Sequence, residues 1–377
     1  MRRWCFAICL LTFFVSCKET DRIDGLLSQM TIDEKCGQLA CPIGFNLYGK
    51  DGDSLWLDDA FLGMVDTLPV GSCWAVLRAD PWSRKTVETG LHPRESARLL
   101  NKMQRYVIEN TRLGIPMLFC EETPHGHMAV GTTVFPTGIG MASTWDPELL
   151  EQVGEVMGRE IRAQGAHVGY GPVLDIARDP RWSRVEETLG EDPYLSGVLG
   201  TALVKGMQRY VVATLKHLAA YGIPQGGHNA ANADVGPNRL KHDYLPAFEM
   251  AVKEGGAGSV MTAYNSIDGV PCTANGWLLE EMLRRAWRFE GVVFADLNAA
   301  ADVDAERADH VDLRVNDVLF KLERRDAVGH HAAGLLILFE YGGTIAHRAE
   351  VVRRRKTCRA CADDGDLLLP FAGEVVD

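Results

Sequence analysis

Residues 146–176 read DPELLEQVGEVMGREIRAQGAHVGYGPVLDI, and residues 192–217 read DPYLSGVLGTALVKGMQRYVVATLKH. Each stretch opens on Asp-Pro. That places an acceptor side chain ahead of a proline, whose missing N–H is one a first helical turn leaves unbonded anyway. Apolar residues then recur at helical spacing through Pro147–Ala163 and Asp192–Gln208. Each stretch ends in a near-continuous apolar run, Ala166–Ile176 and Val211–His217. A strand that apolar has no face for water, so it belongs in a parallel sheet covered by helices. The pattern extends outward in both directions. Pro116–Cys120, Gly258–Tyr264 and Gly291–Ala295 read as further strands, and Arg94–Asn110, Asn238–Glu254 and Ala274–Trp287 as further helices. The units are too many for a small doubly wound sheet, and no G-x-G-x-x-G turn follows the first strand. The expected fold is therefore α/β: a TIM-like (β/α)8 barrel, incomplete, over 24–298, with a C-terminal tail, 299–377, of uncertain fold.

Composition narrows the class. The chain has 377 residues, 46% hydrophobic and 24% charged, which excludes disordered, collagenous and disulfide-scaffold proteins. A net charge of −12 leaves no basic face for nucleic acid. No run of 18 apolar residues would make a membrane-spanning helix. At the N-terminus, Arg2 and Arg3 precede the apolar stretch Trp4–Val15, the layout of a secretion signal over 1–17. It ends in Phe14-Val15-Ser16-Cys17, similar to a bacterial lipobox although Phe14 and Val15 depart from the usual residues. The expected location is secreted, periplasmic or at the cell envelope, with Cys17 lipidated so that the membrane is met only through a lipid anchor; plain cleavage is the alternative. Of the other cysteines, Cys36, Cys41, Cys73, Cys120 and Cys272 sit in apolar stretches as small hydrophobes, and Cys358 and Cys361 form a CxxC without a second pair. After Asn298 the text changes: none of the eight Trp or twelve Met lies beyond residue 287, and one Pro does. Two readings of that tail stand, a variable helical segment and a frameshift or assembly error; the second is preferred.

In a (β/α) barrel the chemistry sits just past the strand C-termini, and there the polar residues gather. Glu121 and Glu122, with His125, follow the Pro116 strand. Asp175 and the run Arg178–Arg184 follow the Ala166 strand, Lys216-His217 close the Val211 strand, Tyr264-Asn265 the Gly258 strand, and Asp296 the last. Carboxylates and cations without a metal-spaced His cluster suit an uncharged polyhydroxylated substrate, whose hydroxyls they bind with charge-assisted hydrogen bonds. A carboxylate among them can attack an anomeric carbon, and aromatic residues nearby can stack on sugar faces. The reading calls for no cofactor and no metal. Oligomeric state is left open.

These pieces together resemble glycoside hydrolase family 3, the β-glucosidase and β-xylosidase group, from about Ile23 to Asn298. The resemblance is carried by Met30-Thr31-Ile32-Asp33-Glu34-Lys35, by Gly114-Ile115-Pro116 leading to Glu121-Glu122-Thr123-Pro124-His125-Gly126, and by Phe135-Pro136. It continues in Gly171-Pro172-Val173-Leu174-Asp175 with Arg178-Asp179-Pro180-Arg181-Trp182, in Glu187 through Glu191-Asp192-Pro193, and in Lys216-His217. Met261-Thr262-Ala263-Tyr264-Asn265 and Glu290-Gly291-Val292-Val293-Phe294-Ala295-Asp296 complete it.

The resemblance implies retaining hydrolysis of terminal non-reducing β-linked sugars in oligosaccharides, disaccharides or aryl β-glycosides. Asp296 matches the nucleophile, with Ala295 where Ser is usual. Glu122 matches an acid, usually Asp, that holds the outer hydroxyls, and Arg184, Lys216 and His217 match the other sugar-binding positions. Tyr264 would orient the nucleophile and Met261 line the same subsite. One of Glu121 and Glu122 is expected to be solvated, and Asp175 and Arg181 to form a structural salt bridge.

Two departures stand out. The segment Gly206–Tyr210 makes a shorter loop into the Val211 strand than family members usually carry. The acid/base, which most members take from a sandwich domain after the barrel, is expected to lack that source here. One branch uses a His on the loop after Lys-His, and His228 stands in that loop with Gly226 replacing the expected Asp. Two alternatives to an exo-β-glycosidase follow: a truncated, inactive sugar-binding remnant, and a β-N-acetylhexosaminidase-type single-domain enzyme using His228.

Overall fold

The computed structural model describes residues 19–296 and the strand pair Leu336–Ile337. The signal segment with Cys17, and the tail 299–377 apart from that pair, lie outside the described residues. Along the chain run α1 (Glu19–Gln29), α2 (Ile32–Leu39), the hairpin β1 (Tyr48–Asp51) and β2 (Ser54–Leu57), α3 (Asp59–Thr67), β3 (Ser72–Trp74) and α4 (Pro93–Asn110). There follow β4 (Leu118–Glu122), α5 (Gly138–Ala142), α6 (Pro147–Ala163), β5 (Val168–Val173), α7 (Pro193–Gln208) and β6 (Val212–Leu218). The last are α8 (Pro237–Arg239), α9 (Pro246–Lys253), β7 (Ser259–Thr262), the hairpin β8 (Ser266–Ile267) and β9 (Val270–Pro271), β10 (Val292–Phe294) and β11 (Leu336–Ile337).

One sheet has the order β11-β10-β7-β6-β5-β4-β3. The six strands from β10 to β3 run parallel, and β11 lies antiparallel on β10. A parallel bridge between Ile43 and Trp74 extends the sheet past β3. The sheet curls. Tyr170 on β5 and Phe294 on β10 meet edge-on at 5.3 Å between ring centroids, although β6 and β7 stand between their strands. Three strand spacings on a flat sheet would set them about 14 Å apart. The inner face of the curl collects Cys41, Cys120, Val168, Tyr170, Val212, Met261 and Phe294. The outer face, with Phe119, Ala213, Leu215, Val260 and Val293, packs under the helices in the larger core. This is the expected barrel, incomplete among the described residues.

The Asp-Pro starts behave as caps. The carboxylate of Asp146 accepts from the Leu149 N–H at 3.0 Å and that of Asp192 from the Leu195 N–H at 2.7 Å. Near the start, Thr31 and Glu34 make a reciprocal capping box on α2. Helices α6 and α7 cross at very close range: a Cβ on Gly206 would lie 2.1 Å from the Glu151 carbonyl, and one on Gly154 would lie 2.3 Å from that of Leu203.

Two expected helices are not simple. The segment 238–254 divides into α8, a wider π turn at Leu240–Tyr244, and α9; Pro246, which has no N–H to give, sits at the break. The segment 274–287 coils as a π-helix over Trp277–Ala286. No helix among the described residues is long and apolar enough to cross a membrane.

Candidate active site

The polar strand ends meet at one end of the barrel, past the C-termini of the parallel strands. Glu122 is the last residue of β4, and Lys216 and His217 lie near the end of β6. Asp175 and Arg184 follow β5, Tyr264 follows β7, and Asp296 is the second residue after β10. Neighbours on a strand ordinarily face opposite ways. Lys216 and His217 nevertheless both reach carboxylates here, at a place where the register of β6 against β7 shifts between Leu215 and Leu218.

Ion pairs tie these ends together. Lys216 Nζ donates to Glu122 Oε2 at 2.7 Å, with both side chains largely buried. His217 lies between two carboxylates, with Nδ1 2.7 Å from Asp175 Oδ2 and Nε2 3.5 Å from Asp296 Oδ2. The Arg184 guanidinium donates Nε and Nη2 to the two oxygens of Glu187 at 2.7 and 2.8 Å, a bidentate pair. Its plane sits over the Tyr221 ring at 5.4 Å. Tyr221 in turn meets His217 at 5.1 Å and Tyr264 at 5.9 Å between centroids. Asp296 keeps a side-chain exposure of 13%, enough to be reached from the mouth.

Burial and these charges set the protonation of the site. Burial pushes Asp175 up to about 8, against the pull of Arg184, and it pushes His217 well down, with Arg184 and Lys216 adding to the effect. Burial works against the Arg184 charge, but the Glu187 pair outweighs it and holds the guanidinium above its ordinary value. Glu187 shows the mirror image: burial raises it, and the hydrogen bond and charge of Arg184 bring it down on balance. Tyr264 is raised by burial and then by the charge of Asp296, to which its side chain hydrogen-bonds.

Some expectations are corrected. Arg181 does not reach Asp175. It pairs with Asp179, two residues away on the exposed loop, at 2.7 Å. Asp175 lies too deep for that loop and takes His217 instead. Neither Glu121 nor Glu122 is solvated. Glu121 is fully buried on the opposite side of β4, accepting from the Leu77 N–H at 3.0 Å with His127 Nε2 3.8 Å away. Met261 lies in the barrel interior among Tyr170 and Phe294. His228 is exposed, on a loop whose Asn229 accepts from the Trp182 indole at 2.9 Å. The short connection into β6 amounts to residues 209–211. Sequence reasoning passed over Glu187 and Tyr221 as site residues. The i,i+3 spacing of Arg184 and Glu187 was a usable signal for the first; nothing local marked the second. Among the described residues, no group of three or more His, Cys, Asp or Glu is placed to hold a metal.

Residues 31–316 match the glycosyl hydrolase family 3 N terminal domain. The chain belongs to glycosyl hydrolase family 3. The match runs past Asn298, the expected end of the resemblance. A periplasmic beta-glucosidase of Salmonella typhimurium is 34% identical over 289 residues, which is 74% of this chain and 34% of that protein. A beta-xylosidase of Formosa agariphila is 42% identical over 204 residues, 50% of this chain and 28% of the relative. Among solved structures, a beta-glucosidase from Listeria innocua superimposes with a TM-score of 0.70 at 26% identity, covering 95% of this chain and 49% of the other. The family 3 chain thus spans about a third of the length of the curated relatives it matches.

Proposed function

We propose that this chain carries the sugar-binding and nucleophilic half of a retaining exo-β-glycosidase, acting on terminal non-reducing β-linked sugars of disaccharides, oligosaccharides or aryl β-glycosides. The observation that carries the reading is the set of ion pairs at one barrel mouth: Glu122–Lys216 beside Asp175–His217–Asp296, drawn from four strands far apart in sequence. In this reading Asp296 attacks the anomeric carbon from one face, forming the C–O bond of a glycosyl-enzyme as the aglycone oxygen leaves. Tyr264 orients the attacking carboxylate. Glu122, Lys216, His217 and Arg184 bind the ring hydroxyls. Water then breaks the ester and returns Asp296.

Retention needs a second group to protonate the leaving oxygen. Among the described residues Glu187 is bound to Arg184, and His228 on its exposed loop is the candidate proposed here; that loop is also what supports the β-N-acetylhexosaminidase-type alternative. Relatives named beta-glucosidase and beta-xylosidase support β-glucosides and β-xylosides as the substrates to try first. A relative named periplasmic supports export, with Cys17 proposed as the lipidated residue and 299–377 as a segment apart from the barrel domain.

The test is hydrolysis of 2,4-dinitrophenyl and alkyl β-glycosides by the full chain. The dinitrophenyl substrates need no proton and are expected to be cleaved, with azide accelerating turnover. Alkyl glycosides and cellobiose should lag by roughly 10²–10⁴-fold, the usual worth of general acid catalysis. Sugar binding without cleavage of either substrate would favour the inactive remnant, and brisk cellobiose hydrolysis lost in His228→Ala would make His228 the proton donor.

A further inference from the structure

The ring of His217 is flanked by a carboxylate at each nitrogen, and a neutral imidazole has one N–H to offer. Asp175 Oδ2 lies 2.7 Å from Nδ1 and also faces the His217 backbone N–H at 3.1 Å. Asp296 Oδ2 lies 3.5 Å from Nε2. If Asp175 were ionised and accepted from Nδ1–H on a neutral ring, the Nε2 lone pair would point at the carboxylate of Asp296. Two buried acceptors would then face each other. With Asp296 ionised, as a nucleophile must be, the arrangement is relieved if Asp175 and His217 together hold one proton more than that, either as acid and neutral ring or as carboxylate and imidazolium. In both forms Nε2 bears hydrogen.

The surroundings favour the first form. Asp175 is fully buried, and its Oδ1 has no hydrogen-bond partner, a costly state for an anion. Arg184 and Lys216 face the ring as cations and oppose an imidazolium. The other titratable groups around the pair are Glu187 beside Arg184, Tyr221 against the ring, Cys272, which feels the charge of Asp175, and Asp296 itself.

We propose that Asp175 is a positioning residue for the reaction argued above: with His217 it stores the proton that keeps Nε2 protonated, making His217 a fixed donor toward Asp296 and toward a hydroxyl of the bound sugar. The pair has no net charge, so the donor is present without adding a third cation to the mouth. The proposal rests on the functional reading for its purpose, but the position of the proton can be measured without any turnover.

The experiment is a long-range 1H–15N spectrum of the full chain labelled with 15N-histidine, with the His217 signals identified by their loss in His217→Gln. At neutral pH the unaltered chain should show Nε2 protonated and Nδ1 as an acceptor. In Asp175→Asn the amide oxygen faces the backbone N–H, so the ring proton should move to Nδ1. Labelling of Asp296 by a 2-deoxy-2-fluoro aryl glycoside should then fall roughly ten- to hundredfold at pH 7, the scale of one lost hydrogen bond to a charged group. Acidification should restore it in the variant as the ring takes up a second proton. The unaltered chain should instead label well at pH 7 and lose rate above about pH 8, where Asp175 gives up its proton. A bare Nε2 in the unaltered chain overturns the proposal whatever the activity, and so does the same pH profile in the variant. A protonated Nε2 in a chain that never labels leaves this assignment standing and removes the functional reading instead.

Discussion

Glu122 and Lys216 form the most enclosed lysine–carboxylate pair of the mouth, and the two partners should not be equivalent on removal. Lys216→Met leaves the Glu122 carboxylate with its partner gone in a largely buried place. Breaking a buried pair from one side costs about 3–5 kcal/mol. Glu122→Gln keeps an acceptor for the Lys216 ammonium, so chemical denaturation should find Lys216→Met clearly the less stable of the two; equal losses would mean that the pair is better solvated than its burial implies. A second expectation concerns pH. The native pKa of Asp175, about 8, lies above the unfolded value of about 3.9, so between these the folded state binds the extra proton. Its contribution to stability is therefore full below pH 4 and is lost as pH rises toward 8. Thermal melting across that window should show the unaltered chain falling more steeply than Asp175→Asn; parallel curves would contradict a protonated Asp175. At this scale the sequence was legible in part. A polar residue at the end of an apolar strand announces a mouth residue, which marks Glu121-Glu122, Lys216-His217 and Asp296; the family resemblance selects Glu122. Partners are another matter. Arg181 is near Asp175 along the chain, but depth decides the pairing, and depth is a property of the assembled barrel. Glu121 differs from Glu122 only by strand alternation, which a two-residue Glu-Glu text cannot orient.

Among the elements, α6 and α7 make the tightest junction, and it is built from glycine. In an isolated helix Gly206→Ala would gain about 1 kcal/mol from propensity. Here its Cβ would lie 2.1 Å from the Glu151 carbonyl, so the helices must part, and overpacking of this kind costs about 1–3 kcal/mol. The expected net result is a less stable chain by thermal or urea unfolding; a more stable variant would mean that the crossing is looser than described. The capped helices and long strands were visible in the sequence because cap chemistry and apolar runs are local. The three-residue β3 was not. Ser72–Trp74 is too short to show a period, and its strand character comes from pairing with β4 and from the segment around Ile43. The π turns at Leu240–Tyr244 and Trp277–Ala286 were likewise hidden, since apolar spacing does not separate a π coil from an α-helix.

For the whole molecule, curvature makes the site. Parallel strands joined by helices put every βα loop at the same end, and the curl that brings Tyr170 against Phe294 also gathers the charged ends of β4, β6 and β10 at one mouth. The alternating pattern made that architecture legible, and the ordered motifs made the family legible. The ring contacts through Tyr221 and the shared carboxylates of His217 belong to the three-dimensional arrangement and had no sequence signature of their own. Asp296 is the proposed nucleophile at this mouth. The most direct test is to incubate the full chain with a 2-deoxy-2-fluoro β-glycoside bearing a good leaving group, digest it, and map the mass increase by tandem spectrometry. One added fluorosugar is expected, on the Asp296 carboxylate and absent in Asp296→Asn. A label on any other residue, or one that persists in Asp296→Asn, would contradict it.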